Sequence, residues 1–132
     1  MRRSKVLLFA VPAVLLLVTG CVSENRGKLE DTRWTSDSAD IQIRAPIGGK
    51  RTVHVPAGYM ELDFKKDGTL FYIIDSKLYR GKYALNSGTT VTFHLEEPLA
   101  GRKTHAETII IDGNRLTMQD TDGTTVTFSK LP

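Results

Sequence analysis

Apolar and polar residues alternate along most of the chain after Trp34, and turn-forming residues interrupt the alternation. Met60, Leu62 and Phe64, for example, are separated by acidic residues. A spacing of two places apolar side chains on one face of a β-strand, and no segment has the 3.6-residue spacing of an amphipathic helix. Asp67-Gly68 comes shortly afterwards, and both residues tolerate the positive φ of a hairpin turn. The chain beyond Trp34 is therefore predicted to be all-β.

The pattern predicts an antiparallel up-and-down meander of eight to ten short strands. Such a meander tends to close into a small barrel, because closure removes exposed strand edges; a flattened sandwich of the same strands is the alternative. The polar outward face is typical of a barrel in water, since a membrane-spanning barrel has an apolar outer band. The predicted inward face consists of Met60, Leu62, Phe64, Tyr83, Leu85, Val91, Phe93, Leu95, Leu116, Met118, Val126 and Phe128.

The first twenty residues have the layout of a bacterial export signal. Residues 1–5 carry three cationic side chains, and residues 6–18 are apolar. That run is shorter than the roughly 20 residues of a membrane-spanning helix. The segment that follows, Val18-Thr19-Gly20-Cys21, matches the lipobox of bacterial lipoproteins. In proteins with this motif the signal helix is removed, and the cysteine receives a diacylglyceryl group and often an acyl chain such as palmitate. An ordinary signal peptide, with Cys21 incidental, is the alternative.

The lipobox match predicts a location as well as an attachment. The covalent lipid on Cys21 would make the membrane of the cell envelope the partner of this chain. In Gram-negative lipoproteins an aspartate directly after the cysteine is a common signal for retention in the inner membrane, and Val22 stands there instead. The outer membrane is therefore expected if the source has one. Cys21 is the only cysteine, so an internal disulfide is excluded.

Charge excludes nucleic acid as a partner. The chain has 18 lysines and arginines, of which three precede residue 20, so 15 remain to balance 15 acidic residues in the predicted mature protein. A neutral domain has no electrostatic footprint for a phosphate backbone. The predicted organisation is a signal peptide at 1–20, the lipidated cysteine and a short tether at 21–28, and one barrel domain at 29–132.

Five segments, at 29–34, 61–70, 81–83, 116–118 and 123–128, resemble the small bacterial lipocalin-like lipoproteins. In that family an early tryptophan packs across one end of the barrel, which here would be Trp34. An F-x-x-D-G-T hairpin, here from Phe64 to Thr69, precedes a G-x-Y strand. Thr32 stands where a glycine is usual. The resemblance implies a lipocalin-like fold, but members of the family bind varied ligands, so it implies less about activity.

The barrel interior is the predicted ligand site. Apolar residues with a few polar groups suit a small hydrophobic or amphipathic molecule, although eight-stranded barrels are often filled by their own side chains. Trp34 is expected to plug the core more than to stack on a ligand. The candidate lining residues are Trp34, Met60, Leu62, Phe64, Tyr83, Phe93, Met118 and Phe128.

The sequence gives little support for catalysis or for a metal or cofactor site. His54, His94 and His105 are not spaced as metal ligands, so they are expected on the surface. Residues 120–123 (Asp-Thr-Asp-Gly) lack the further ligands of a calcium loop and are predicted to form a hairpin turn. The chain has no thiol besides the predicted lipidation site, no G-x-S-x-G elbow and no phosphate-binding loop. We expect a protein that is not an enzyme.

Two functions remain open. The first is a non-enzymatic lipoprotein that binds a small hydrophobic or amphipathic ligand in the cell envelope. The second is an envelope module with a filled barrel, either structural or a protein-interaction module such as an inhibitor or assembly accessory. In the second case the contact surface would be the loops at 45–50 and 96–104, the latter carrying Arg102 and Lys103.

Overall fold

The computed structural model describes residues 22–44 and 47–132, whose regular structure consists of ten antiparallel strands. Cys21, the rest of the predicted lipobox and the predicted signal helix lie outside these residues. The strands are β1 (Thr32–Ser36), β2 (Ala39–Arg44), β3 (Lys50–Val55), β4 (Met60–Phe64), β5 (Thr69–Ile74), β6 (Lys77–Leu85), β7 (Thr90–Leu99), β8 (Arg102–Asp112), β9 (Arg115–Gln119) and β10 (Thr125–Lys130).

Eight of the strands form a closed barrel in the order β1, β4, β5, β6, β7, β8, β9, β10, and β10 pairs with β1 to close it. The predicted all-β, antiparallel barrel is confirmed, and the sandwich alternative is wrong. One feature differs from a simple meander, because β2 and β3 form a separate two-stranded hairpin inserted between β1 and β4. The predicted loop at 96–104 is also mostly strand, since β7 extends to Leu99 and β8 begins at Arg102.

The predicted turn at Asp67-Gly68 joins β4 to β5. Gly68 has a φ of 94°, the left-handed region that glycine adopts without strain. The Thr69 N–H donates to Asp67 Oδ1 at 2.9 Å, and hydrogen bonds from Thr69 hold the pKa of Asp67 below its ordinary value. Asp75 and Ser76 form the β5–β6 turn with φ values of 51° and 69°, as in the tight hairpin turns that match strand twist.

A cluster of buried aromatic side chains fills the barrel interior near the β4–β5 turn. Phe64 contacts Tyr83 edge-on with ring centroids 5.0 Å apart, and its ring lies 6.1 Å from that of Phe93. Trp34 is 1 % exposed and belongs to the same core, as expected for a plug. All twelve residues of the predicted inward face are in this core or packed against it, so the predicted face is confirmed.

The chain before β1 closes this end of the barrel. Glu24 N–H donates to the Gly88 carbonyl at 2.8 Å, and the Asn25 side-chain amide donates to the Ile109 carbonyl at 3.0 Å. Leu29 is completely buried. Part of the predicted tether therefore contacts the barrel, because the Asn25 side-chain amide donates to backbone carbonyl groups that need a hydrogen-bond partner.

Thr32, at the position where the lipoproteins that the sequence resembles usually have glycine, has a structural role here. Its buried hydroxyl donates to the Leu29 carbonyl and accepts the indole N–H of Trp34 at 2.8 Å. A buried indole N–H needs an acceptor. The threonine therefore joins the closing segment to the tryptophan, a contact that glycine could not make.

Candidate functional site

The opposite end of the barrel holds a cavity of about 380 Å³. It lies where the β7–β8 turn, the β9–β10 turn and the beginning of β4 meet. We call it the distal cavity, because it is at the end of the barrel remote from the closing segment. The lining residues are Met60, Tyr72, Leu99, Ala100, Arg102, Thr104, His105, Ala106, Glu107, Met118, Asp120, Thr121, Asp122, Thr124 and Val126.

The inner part of the distal cavity is apolar. Met118, Val126 and Tyr72 are buried there, and Met60 is partly buried at the beginning of β4. The Tyr72 hydroxyl makes only a long contact with Met60 Sδ, at 3.9 Å. Burial raises the pKa of Tyr72 far above its ordinary value, with smaller contributions from Glu107 and Asp120, so the phenol stays neutral. Two thioethers and a phenol ring give the cavity an adaptable surface for an apolar group.

Among the charged residues that line the distal cavity, Glu107 is the one that is buried. It lies on β8 two positions before the buried Ile109, so the period of two points its side chain inward. The residue is 7 % exposed, and Oε1 is buried without a hydrogen-bond partner. Burial and, to a smaller degree, the charge of Asp120 raise the pKa of Glu107 to about 7, while Arg102 opposes the shift. Such a carboxyl group is half protonated near neutral pH.

The β9–β10 turn supplies the polar rim of the distal cavity. Asp120 Oδ1 accepts the N–H groups of Asp122 at 2.9 Å and Thr124 at 3.0 Å. This is the hairpin turn that the sequence predicts at 120–123, and it presents two aspartates to the cavity. On the other side, His105 Nε2 lies 2.8 Å from the Arg102 carbonyl oxygen, which fixes the ring in the wall.

The predicted lining residues divide into three groups. Met60 and Met118 line the distal cavity. Tyr83 is half-buried near the closed end and donates to the Lys65 carbonyl at 2.6 Å. The others are almost completely buried within the packed half, with exposed fractions of 1 % or less; they are Trp34, Leu62, Phe64, Phe93 and Phe128.

The three histidines do not converge on one site, and His94 and His105, although on paired strands, lie on opposite faces of the barrel wall. His54 is exposed on the inserted hairpin with Nδ1 2.8 Å from Asp40, and His94 is exposed on β7. His105 differs from the surface position expected for it, because it is part of the distal cavity wall. Among the residues that the structure describes, no group of three or more histidine, cysteine, aspartate or glutamate side chains is arranged to hold a metal ion.

Glu107 and the two rim aspartates are site residues that the sequence reasoning missed, whereas Tyr72 was expected among the interior tyrosines. Glu107 had a detectable signal, because it occupies an inward position of the alternation that continues through Ile109 and Ile111. A charged residue at an inward strand position is an exception that indicates a functional or specifically satisfied group. The aspartates had no such signal, since turns are ordinarily rich in aspartate.

Comparison with known proteins adds no relative: no family model, no curated protein and no solved structure matches this chain. The class of protein is therefore defined by its own features, a closed eight-stranded antiparallel barrel with one packed end and a cavity at the other. No helix within residues 22–44 and 47–132 is long and apolar enough to cross a membrane.

Proposed function

We propose that this chain is a membrane-anchored bacterial lipoprotein whose lipocalin-like barrel binds a small amphipathic ligand in the cell envelope. The observation that carries the proposal is the distal cavity, a space of about 380 Å³ in a barrel whose other half is filled. A water molecule occupies about 30 Å³ of liquid, so the cavity has room for about a dozen non-hydrogen atoms. The volume is within the ordinary range for small-molecule sites.

The chemistry of the cavity favours an amphipathic ligand. Met60, Tyr72, Met118 and Val126 offer an apolar surface, which contributes about 25 cal/mol per Å² of apolar area removed from water. Glu107 in the wall adds a polar group with an unsatisfied oxygen. A mostly apolar site with a few convergent polar groups is the usual composition of a ligand pocket, because the polar groups fix orientation.

The position of the N-terminal segment suits an anchor that leaves the cavity accessible. Ser23, two residues after Cys21, bridges to Gly88 in the β6–β7 turn at the closed end. Leu99 at the far end of the ten-residue β7 lines the cavity rim, whereas Glu107 in the cavity wall pairs with Val91 close to that turn. A lipid on Cys21 would therefore place the closed end against the membrane, with the cavity mouth toward the aqueous compartment.

Native mass spectrometry tests the binding proposal. The full chain is extracted from its own host in lipid discs, without detergent, and we expect a co-purifying molecule of a few hundred daltons at most. Thr124→Trp at the cavity rim should block the mouth and remove that mass. Thr117→Trp is the matched control, because Thr117 lies between the inward Leu116 and Met118 and so faces outward. A wild-type barrel that carries no added mass would contradict the proposal.

One observation favours the second candidate, a protein-interaction module. Within the described residues β2 and β3 pair only with each other, so each has one edge without a strand partner. Such edges are templates for an added strand, and Ile47 near the hairpin tip is 90 % exposed. Under this alternative, a partner cross-linked in the host envelope should be lost with Ile47→Asp and Thr52→Pro and retained with Thr124→Trp.

A further inference from the structure

The buried carboxyl group of Glu107, in the wall of the distal cavity, has no partner among the described residues. Its Oε1 is buried without a hydrogen-bond partner, and 93 % of the residue is removed from solvent. Four ion pairs are formed within the described residues, and none of them involves Glu107. A buried carboxyl group left in this state is costly unless a partner supplies hydrogen-bond donors or positive charge.

The other ionisable groups that line the distal cavity leave it acidic. Asp120 and Asp122 contribute two further carboxylates from the β9–β10 turn, while Tyr72 on β5 is neutral. The cations in the wall are Arg102, which is exposed at the rim of β8, and His105 when it is protonated. Three carboxyl groups against one permanent cation produce a field that attracts positive charge and disfavours an anionic ligand.

We propose that the ligand of the distal cavity carries a primary amine or another small cationic nitrogen, which binds to Glu107 while its apolar body lies on Met60, Tyr72 and Met118. This inference rests on the proposed function and specifies its ligand class. An ammonium group supplies three donors and one positive charge. It therefore satisfies Oε1 and the excess negative charge together, which a neutral or acidic head group cannot do.

Three matched probes test the inference on the full chain in lipid discs. They are 2-phenylethylamine, its uncharged counterpart 2-phenylethanol and the anionic 3-phenylpropanoate, all of a size that the cavity admits. At pH 7.5 we expect the amine to bind about tenfold to a hundredfold more tightly than the alcohol, the range of a hydrogen bond to a charged group. The carboxylate should bind most weakly.

Two variants and one control assign the effect to Glu107. Glu107→Gln should reduce amine affinity to that of the alcohol and change alcohol affinity less than about twofold. Arg102→Gln should strengthen amine binding, because it removes the competing cation from the wall. Glu96→Gln, an exposed glutamate on β7 outside the cavity, should change neither affinity.

Proton release gives a readout that does not depend on the variants. Where Glu107 is protonated before binding, the amine must displace that proton. Calorimetry in buffers of different ionisation enthalpy should detect up to one proton released per amine bound near pH 6, and progressively fewer toward pH 8. The alcohol should release none at any pH.

The possible failures are distinguishable. If the three probes bind equally, or the carboxylate binds most tightly, the amine inference is overturned and the proposed function stands. If amine affinity is unchanged in Glu107→Gln, the assignment of Glu107 is overturned in the same way. If none of the probes binds, the alcohol included, the proposed small-molecule site fails together with the inference.

Discussion

Replacing Glu107 with glutamine removes a buried ionisable carboxyl group and keeps the shape of the side chain. The ordinary pKa of glutamate is 4.5, and burial in the cavity wall raises the pKa of Glu107 to about 7. In the unfolded chain the group ionises at the lower pH. Between these two values the folded protein holds a proton that the unfolded chain has lost, so wild-type stability falls as pH rises through this window and is level above it.

The magnitude follows from the difference in pKa. One pKa unit corresponds to 1.36 kcal/mol, so the interval from 4.5 to about 7 corresponds to at most about 3.4 kcal/mol. The cavity is open to water at its mouth, which screens the charge, and we expect about 2 kcal/mol. Glu107→Gln should therefore match the wild type at pH 4.5 and be more stable by about 2 kcal/mol at pH 8.

Urea denaturation of the ligand-free protein, repeated at intervals from pH 4.5 to pH 8, measures this difference directly. Glu96→Gln is the control, and its stability should follow that of the wild type at every pH. The reasoning is refuted if Glu107→Gln is less stable than the wild type at pH 8, or if the difference between the two proteins does not change with pH. Either result would mean that Glu107 is satisfied in the folded state.

Three further predictions concern the closed end, the barrel wall and the anchor. Leu29→Ala should reduce the free energy of unfolding by about 2–5 kcal/mol, because Leu29 is completely buried. Urea denaturation measures this loss, with Lys28→Ala, at an exposed position, as the control. A loss below about 1 kcal/mol would contradict the packing of the segment before β1 against the barrel. Gly81→Ala should lower stability by more than about 2 kcal/mol, since a Cβ there would overlap the His94 carbonyl group and lie 2.8 Å from Leu95 Cα. In the same thermal melt, Lys82→Ala at the exposed neighbouring position should be nearly neutral. Equal effects of the two substitutions would contradict the close contact between β6 and β7 at Gly81. Cys21→Ser should lose acylation and leave the membrane fraction while the barrel still folds, as fractionation and circular dichroism would show; retention in the membrane fraction would contradict the lipid anchor.

The inward face of the barrel could be predicted from sequence because it depends on a local property. A spacing of two decides which side of a strand a residue faces, whatever that strand pairs with. The pairing itself is not local. The β2–β3 hairpin has the same alternation as the barrel strands, and its exclusion depends on β1 pairing with β4, which joins Thr32 to Phe64. The alternation therefore predicts how many strands form but not which of them close the barrel.

The candidate site was harder to predict because an inward residue can either fill the barrel or line an empty part of it. Met60 and Met118 lie near the open end, whereas Phe64, Phe93 and Phe128 fill the other half, and all five have the same pattern in sequence. Whether an inward residue fills the barrel or lines the cavity depends on its position along the barrel axis and on its side-chain volume. Glu107 could have been found as a charged exception to the inward alternation, but its missing partner is visible only in three dimensions.

The packing of the segment before β1, residues 22–31, against the barrel was also hard to predict from sequence. Its polar composition is typical of a tether, yet Asn25 is 2 % exposed because its amide is used to satisfy the Ile109 carbonyl. A single buried asparagine in a polar stretch has no periodic signal, since its partner is 84 residues away in sequence.

Methyl-labelled methionine reports directly on whether the distal cavity holds the ligand. The chain has three methionines, and two of them, Met60 and Met118, line the cavity. Carbon-13 methyl spectra of the full chain in lipid discs are recorded before and after addition of a small-molecule extract of the host envelope. We expect both methyl signals to shift in the wild type and neither to shift in Thr124→Trp. Unchanged signals in the wild type, or equal shifts in the blocked variant, would contradict ligand binding in the distal cavity.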